Sequence, residues 1–340
     1  MRCSLGSLAA AAIAVAFSVT GVDAFVKGHD LSSAGLMETE QGATWYSTSG
    51  KASALEDILG AGGMDSVRLR IWTSDDYGLN YTLGLAQRFS KAGYSIYLDM
   101  HFSDTLASDL RSYVSSTLQS FTDGGVTIAT LSLGNEISSG MLYPLGQITN
   151  DDFSGFATLW AAARAGVDDA VSAGTTKPEV MLHLDNGWKE ETLTWFFKGL
   201  FATGTVTADD VDVLGFSFYP FYSTSATINA LTSALTSMAN TYGKPIYIAE
   251  TDYPNSCSGV ELSANYAVSA EGQIEWTQAI IGVLDDLPNS LGAGIYYWEP
   301  AYITVAGLGS ACDSALLFSV DWTNWPDTKA TALSSVNLFN

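Results

Sequence analysis

Cationic residues, thiols and imidazoles are all scarce in this chain of 340 residues, and each shortage excludes something. Only 14 Lys and Arg stand against 36 Asp and Glu, a formal net charge of −22, so neither nucleic acid nor an anionic membrane is an expected partner. Three histidines, with His101 and His183 on separate strand candidates, give no H-x-x-x-H or clustered spacing, and no EF-hand loop is visible. No metal is therefore expected. No G-x-G-x-x-G or Walker motif follows the first strand candidate and no G-x-S-x-G elbow occurs, so no cofactor is expected either. After residue 17 no apolar run approaches the roughly 18 residues that cross a bilayer. No Pro-, Ser- or Gly-rich hinge separates a second domain.

The N-terminus has the layout of a secretory signal. Arg2 precedes an apolar stretch from Leu8 to Phe17, and Val22-Asp23-Ala24 places small residues three and one before a cut. Residues 1–24 are read as a signal peptide and 25–340 as one domain, secreted, extracellular and expected to act as a monomer. Removing the signal discards Cys3 and leaves Cys257 and Cys312, a pair that suggests a disulfide in an oxidising compartment. Closing a loop of that size contributes ~4 kcal/mol through the unfolded state. Asn80-Tyr81-Thr82 is one glycosylation sequon, expected in the loop after the second strand.

Strand and helix patterns alternate along the rest. Strand candidates are Phe25–Leu31, Ser66–Trp72, Tyr94–Phe102, Thr127–Glu136, Glu179–Asn186, Val211–Tyr219, Pro245–Thr251 and Ala293–Trp298. Amphipathic stretches, several closed by Gly, lie between them, and Ala330–Leu338 is read as the last helix. Eight units of roughly 30 residues in series, with no linker, predict a single closed (β/α)₈ TIM barrel of the α/β class. An open doubly wound sheet would favour a Gly-rich phosphate loop after its first strand.

In such a barrel the chemistry sits where the strands end. The run Thr127–Leu133 is apolar and β-branched, and it stops at Gly134-Asn135-Glu136; Pro245–Ala249 likewise stops at Glu250-Thr251. Two carboxyl groups facing each other across a barrel mouth are what glycoside hydrolysis requires. Glu136, beside an amide, suits the acid/base, and Glu250, held ionised by a guanidinium such as Arg68, suits the nucleophile. The other strand ends present Asp30, Arg68 with Arg70, His101 with Asp104, Asp185 with Asn186, Tyr219, and Trp298 with Glu299. Glu299 competes for either role, although an ion pair or a substrate hydrogen bond suits it better. Trp72, Phe102, Trp188, the Phe218–Tyr222 cluster, Tyr253, Tyr297 and Tyr302 also fall near strand ends, where sugar rings could stack.

Taken in order, GHDLSS, VRLRIW, LDMHFSDT, SLGNEISSGMLYP, HLDNGW, GFSFYPFYS, IAET and YYWEPA resemble the arabinogalactan endo-β-1,4-galactanases of glycoside hydrolase family 53 over nearly the whole mature chain. The resemblance implies a retaining endo-hydrolase acting on β-1,4-galactan side chains of pectin, with Glu136 as acid/base and Glu250 as nucleophile. Arg68, His101, Asn135 and Trp298 would line the subsite of the cleaved sugar, and Cys257 and Cys312 match a disulfide of relatives. Where family members tend to carry tryptophan this chain has Leu31, Leu106 and Tyr253, which implies fewer or smaller stacking surfaces. The residues by themselves also allow a barrel acting on a glucan or mannan, or a non-catalytic carbohydrate-binding barrel.

Overall fold

The computed structural model describes residues 24–73, 75–102 and 109–340. The signal segment up to Asp23, together with Asp104 and Leu106, lies outside the described residues. Eight parallel strands close into a barrel: β1 (Val26–Asp30), β2 (Ser66–Trp72), β3 (Ser95–His101), β4 (Ile128–Leu133), β5 (Glu179–Leu184), β6 (Val213–Ser217), β7 (Ile246–Thr251) and β8 (Gly292–Tyr297). Each pairs with its neighbours in chain order and β8 returns to β1, with Val26 opposite Gly294. All eight strands expected from the sequence are present, so the fold is the single (β/α)₈ barrel.

The barrel is filled, not hollow. Tyr97, Met181, Val213, Tyr247, Ala249 and Tyr296 form an interior layer of their own. Their bulk is accommodated by glycine: a Cβ on Gly28 would meet the Tyr296 ring at 2.2 Å, and one on Gly215 would meet Met181 Sδ at 2.3 Å. This packed floor puts every polar strand end above it, at the C-terminal mouth.

The outer helices follow the 3.6-residue period. Ser154–Ser172 turns Phe156, Trp160, Ala163, Val167 and Ala170 onto the strands. In Ile228–Tyr242, Thr227 accepts from the Ala230 N–H and Gly243, at φ 60°, ends the helix, as its sequence anticipates. Among the described residues no helix is long and apolar enough to cross a membrane.

Two expectations are corrected. Ala330–Leu338 is not a helix: Lys329–Ala332 is a strand pairing with Phe318–Asp321 and Thr44–Tyr46, and one 3₁₀ turn, Ser334–Asn337, follows. Its apolar residues fall at helical spacing, but the backbone of Lys329–Ala332 has a strand on either side to pair with, and that pairing satisfies its polar groups. Asn80 lies in the first turn of the helix Leu79–Lys91, not in a loop; it is exposed, while Thr82 of the same sequon is buried with its hydroxyl on the Tyr77 carbonyl. The disulfide Cys257–Cys312 is formed and spans 55 positions.

One buried histidine makes the barrel sensitive to acid. His29 on β1 is fully buried, its ring centroid 4.9 Å from that of Phe339 and tilted to it, and among the described residues neither ring nitrogen has a hydrogen-bond partner. Burial lowers its pKa to about 3. A folded pKa below the unfolded 6.5 means that its contribution is intact above pH 6.5 and is lost as pH falls towards 3. In urea titrations, His29→Leu is expected to gain roughly 2–3 kcal/mol on wild type between pH 7 and pH 4.5, at about 1.4 kcal/mol per pH unit. A gap that does not change with pH would overturn this.

Candidate active site

The centre of the mouth is one guanidinium. Arg68, on β2, is completely buried. Its Nη1 donates to Asp30 at 2.6 Å, and its Nη2 donates to Asp99 at 2.7 Å, Asn135 at 2.9 Å and Glu250 at 2.6 Å. Register explains the convergence: Asp30 is opposite Arg68 on β1, and Arg68 is opposite Tyr97 on β3, two residues before Asp99 on the same face. The Asn135 Oδ1 is engaged by Arg68, which leaves the amide N–H₂ for the cleft.

Glu250, one residue before the end of β7, is almost fully buried, and the Tyr219 hydroxyl donates to its second oxygen at 2.9 Å. The ion pair with Arg68 is the one expected, but its consequence differs. Burial is the largest influence and raises the Glu250 pKa; Arg68 opposes it, and Asp99 adds to the rise. Arg68 shares its charge with Asp30 and Asp99 and so does not fully offset the desolvation of Glu250. On Asp99 the balance goes the other way: against burial, Arg68 and then His101 hold it well below the usual carboxylate range. The His101 Nε2 lies 2.7 Å from Asp99.

Glu136 reaches the mouth through a left-handed backbone, φ 48° and ψ 49°, just after Gly134 at φ 101°. A Cβ on Gly134 would meet Ile137 Cγ2 at 2.6 Å. Asn186 and Glu299 also carry positive φ, 51° and 38°. Such conformations cost non-glycine residues about 1 kcal/mol or more each and persist where the surroundings enforce them. Glu136 opens on a cleft of about 170 Å³ lined by Asp185, Asn186, Trp188, Ser217, Tyr219 and Tyr222. Its carboxyl is pushed up to about 8, first by desolvation among the cleft walls and second by the charge of Glu250. Water still reaches its exposed side, so a bound substrate would complete the desolvation. Within this cleft Asp185 accepts from the hydroxyl of Ser138 and, at 2.5 Å, from Asn186 Nδ2. On the other side of Asn135 a second hollow of about 310 Å³ is lined by His101, Phe102, Leu142 and Tyr143.

Trp298 lies against two cations, with the Arg68 and Arg70 guanidinium carbons 5.2 and 4.8 Å from its ring. Arg70 in turn holds Glu299 at 2.6 Å, and Glu299 also accepts from the Ser33 N–H and hydroxyl. Glu299 is fully buried and therefore acts as an anchor for Arg70, consistent with the ion pair expected of it.

The structure thus brings Asp30, Arg68, His101, Asn135, Glu136, Asp185, Asn186, Trp188, Tyr219, Glu250 and Trp298 to one mouth. It withdraws several aromatic candidates: Phe218, Tyr253 and Tyr297 are buried, Phe218 stacking on Trp276 at 4.8 Å, and Leu31 is buried as well. Sequence reasoning does not single out Asp99, Ser33 or Ser217, nor Tyr77, whose ring lies 4.4 Å from the Arg70 guanidinium carbon. An acid inside the apolar run YSIYLDMHF, two residues from His101, was the available signal for Asp99. Asp99, His183 and Glu250 also offer ligand atoms within 4.8 Å of one another, a grouping invisible in sequence spacing. Arg68 already pairs with two of the three.

A closed parallel barrel with two glutamates at its mouth, one paired with a guanidinium and one held towards its neutral form, fits the class of glycoside hydrolases. The model of glycosyl hydrolase family 53 matches residues 26–109 and 105–339. A probable arabinogalactan endo-beta-1,4-galactanase A of Aspergillus tubingensis is 39% identical over 323 residues, covering 87% of this chain and 90% of its own length. The arabinogalactan endo-beta-1,4-galactanase A of Aspergillus niger is 38% identical over the same shares. A solved structure described as one of two fungal beta-1,4-galactanases superposes with a TM-score of 0.84 at 33% identity, covering 92% of this chain and 98% of its own. The chain belongs to glycosyl hydrolase family 53.

Proposed function

We propose that the protein is a secreted endo-β-1,4-galactanase that cuts the galactan side chains of pectin by double displacement, from one domain over residues 25–340. Glu136 serves as acid/base and Glu250 as nucleophile; Asp30, Arg68, His101, Asn135, Asp185, Asn186, Trp188, Tyr219 and Trp298 hold the sugars, and Asn80 is the glycan acceptor. The observation that carries this reading is the pairing of Glu250 with Arg68 at 2.6 Å and Tyr219 at 2.9 Å, together with a Glu136 whose pKa burial, and then the charge of Glu250, raise. Family membership and the names of the Aspergillus relatives support the substrate.

Two carboxyls with opposite demands divide the work. Arg68 and Tyr219 orient the Glu250 oxygens for attack on the anomeric carbon, forming a glycosyl ester as the glycosidic bond breaks. Glu136 gives its proton to the departing oxygen, then takes one from the water that cleaves the ester. The indole of Trp298, held by its contacts with the Arg68 and Arg70 guanidiniums, offers a flat face to the sugar whose bond is cut.

The test of substrate is hydrolysis of linear β-1,4-galactan against β-mannan and β-glucan, with product sizes followed in time. Short galacto-oligosaccharides released from within the polymer are expected. Cleavage of mannan or glucan alone would remove the galactanase reading and keep the chemistry, whereas no cleavage with retained binding would favour a non-catalytic barrel.

The pH profile follows from the same pair. Glu136 must be protonated and Glu250 ionised, so kcat/KM is expected to be bell-shaped, with its alkaline limb near 8 and its acid limb above the usual 4.5 of a glutamate. An alkaline limb near 5 would contradict the assignment of Glu136.

A further inference from the structure

Sharing no residue with the cleft beside Glu136, the loops that follow β7 and β8 line an open groove of about 420 Å³ against the small sheet of Phe318–Asp321 and Lys329–Ala332. Its volume is in the range of small-ligand sites. Ile303, Leu316 and Phe318 supply an apolar floor, and Trp322, 41% exposed, stands on one lip. Asn255 and Ser314 line it too. The Asn255 Nδ2 donates to the Leu316 carbonyl at 2.6 Å, and the Ser314 hydroxyl accepts from the Leu316 N–H at 3.4 Å, so the Asn255 Oδ1 and the Ser314 and Ser319 hydroxyl protons are the hydrogen-bonding groups of a largely apolar surface.

A flat ring face with hydroxyls on its edge matches this arrangement; a purely apolar ligand would leave the polar lip unpaired. Charge narrows the ligand further. Exposed Asp313 adjoins Ser314, and exposed Asp321 adjoins Trp322 with exposed Lys329 opposite it in the sheet; the carboxylates outnumber that cation and the chain carries a net −22, so a uronate is less favoured than a neutral hexose. We propose that this groove is a second, non-catalytic glycan site, which takes a stretch of neutral β-linked galactan through stacking on Trp322. It rests on the galactanase reading and adds a surface that would keep the enzyme on a polymer between cuts. Trp325 extends the same loop, 63% exposed, with its indole N–H on the Gln41 Oε1 at 3.1 Å.

The test compares wild type, Trp322→Ala and Trp322→Phe. Migration is measured in native gels with and without galactan, and rates are measured on galactan and on galactotetraose. Trp322→Ala is expected to weaken gel retardation and slow polymer cleavage roughly 3- to 10-fold with the galactotetraose rate unchanged, and Trp322→Phe is expected to restore most of both. Equal retardation of wild type and Trp322→Ala, with wild type still cutting galactan, overturns the second site and leaves the galactanase reading standing. A fall on galactotetraose equal to that on galactan overturns it as well, because the residue would then act at the catalytic mouth. Failure of wild type to cut galactan at all removes both.

Discussion

Glu250→Ala is expected to abolish galactan hydrolysis, with kcat falling on the order of 10⁴- to 10⁶-fold, the range that follows loss of an enzymic nucleophile. Truncation leaves a hole the size of a carboxylate at the end of β7, still flanked by the Arg68 guanidinium and the Tyr219 hydroxyl that bind Glu250 in the intact protein. Both are donors, and they would welcome a small anion. Azide is therefore expected to restore turnover of a galactoside with a good leaving group, attacking from the face Glu250 used and giving a galactosyl azide of inverted, α configuration. Glu136→Ala provides the mirror experiment. There Glu250 still forms the glycosyl ester and azide replaces water in the second step, so the product keeps the β configuration. Anomeric assignment of the two azides by NMR fixes the roles independently of rate. Swapped configurations would exchange the roles, and an active Glu250→Ala without azide would end the two-glutamate mechanism for this chain.

How much of this was readable in the sequence depended on how local its cause was. The eight strands are short apolar runs between helix stops, and each was placed within a few residues; the Gly243 stop and the Thr127–Leu133 run needed no tertiary information. The polar strand ends were readable for the same reason, since a barrel sends every C-terminus to one rim. Partnerships between strands were less accessible. That Arg68 serves Asp30, Asp99 and Glu250 together depends on the register of β1, β2, β3 and β7, and no spacing within a strand encodes it. The same limit applies to Phe218 and Tyr253: an aromatic at a strand end turns to the cleft or to the helix layer according to its neighbours, and Trp276 drew both inward. Ala330–Leu338 failed for the corresponding reason, because its strand partners are residues 44–46 and 318–321.

Arg68→Met is expected to damage stability and activity together, and its pH dependence identifies the cause. Methionine fills most of the volume but leaves Asp30, Asp99 and Glu250 without their shared cation. Removing one partner of a buried ion pair costs about 3–5 kcal/mol, and here three carboxylates lose the same partner. They would relieve the repulsion by taking up protons, which raises their folded pKa values above the unfolded ones. A raised folded pKa gives a contribution present at low pH and lost as pH rises, so the variant is expected to lose most against wild type at pH 7 and least near pH 4. Activity at neutral pH falls with it, since a protonated Glu250 cannot attack. Arg68→Lys keeps the charge but not the planar fork that reaches several carboxylates, and is expected to recover only part of the loss. Urea midpoints at the two pH values decide the matter, with Asp99→Asn added to Arg68→Met as the control. If charge is the cause, the second substitution raises the stability of the first at pH 7. A deficit that is the same at both pH values, and that the asparagine leaves untouched, would mean that Arg68 matters for packing alone.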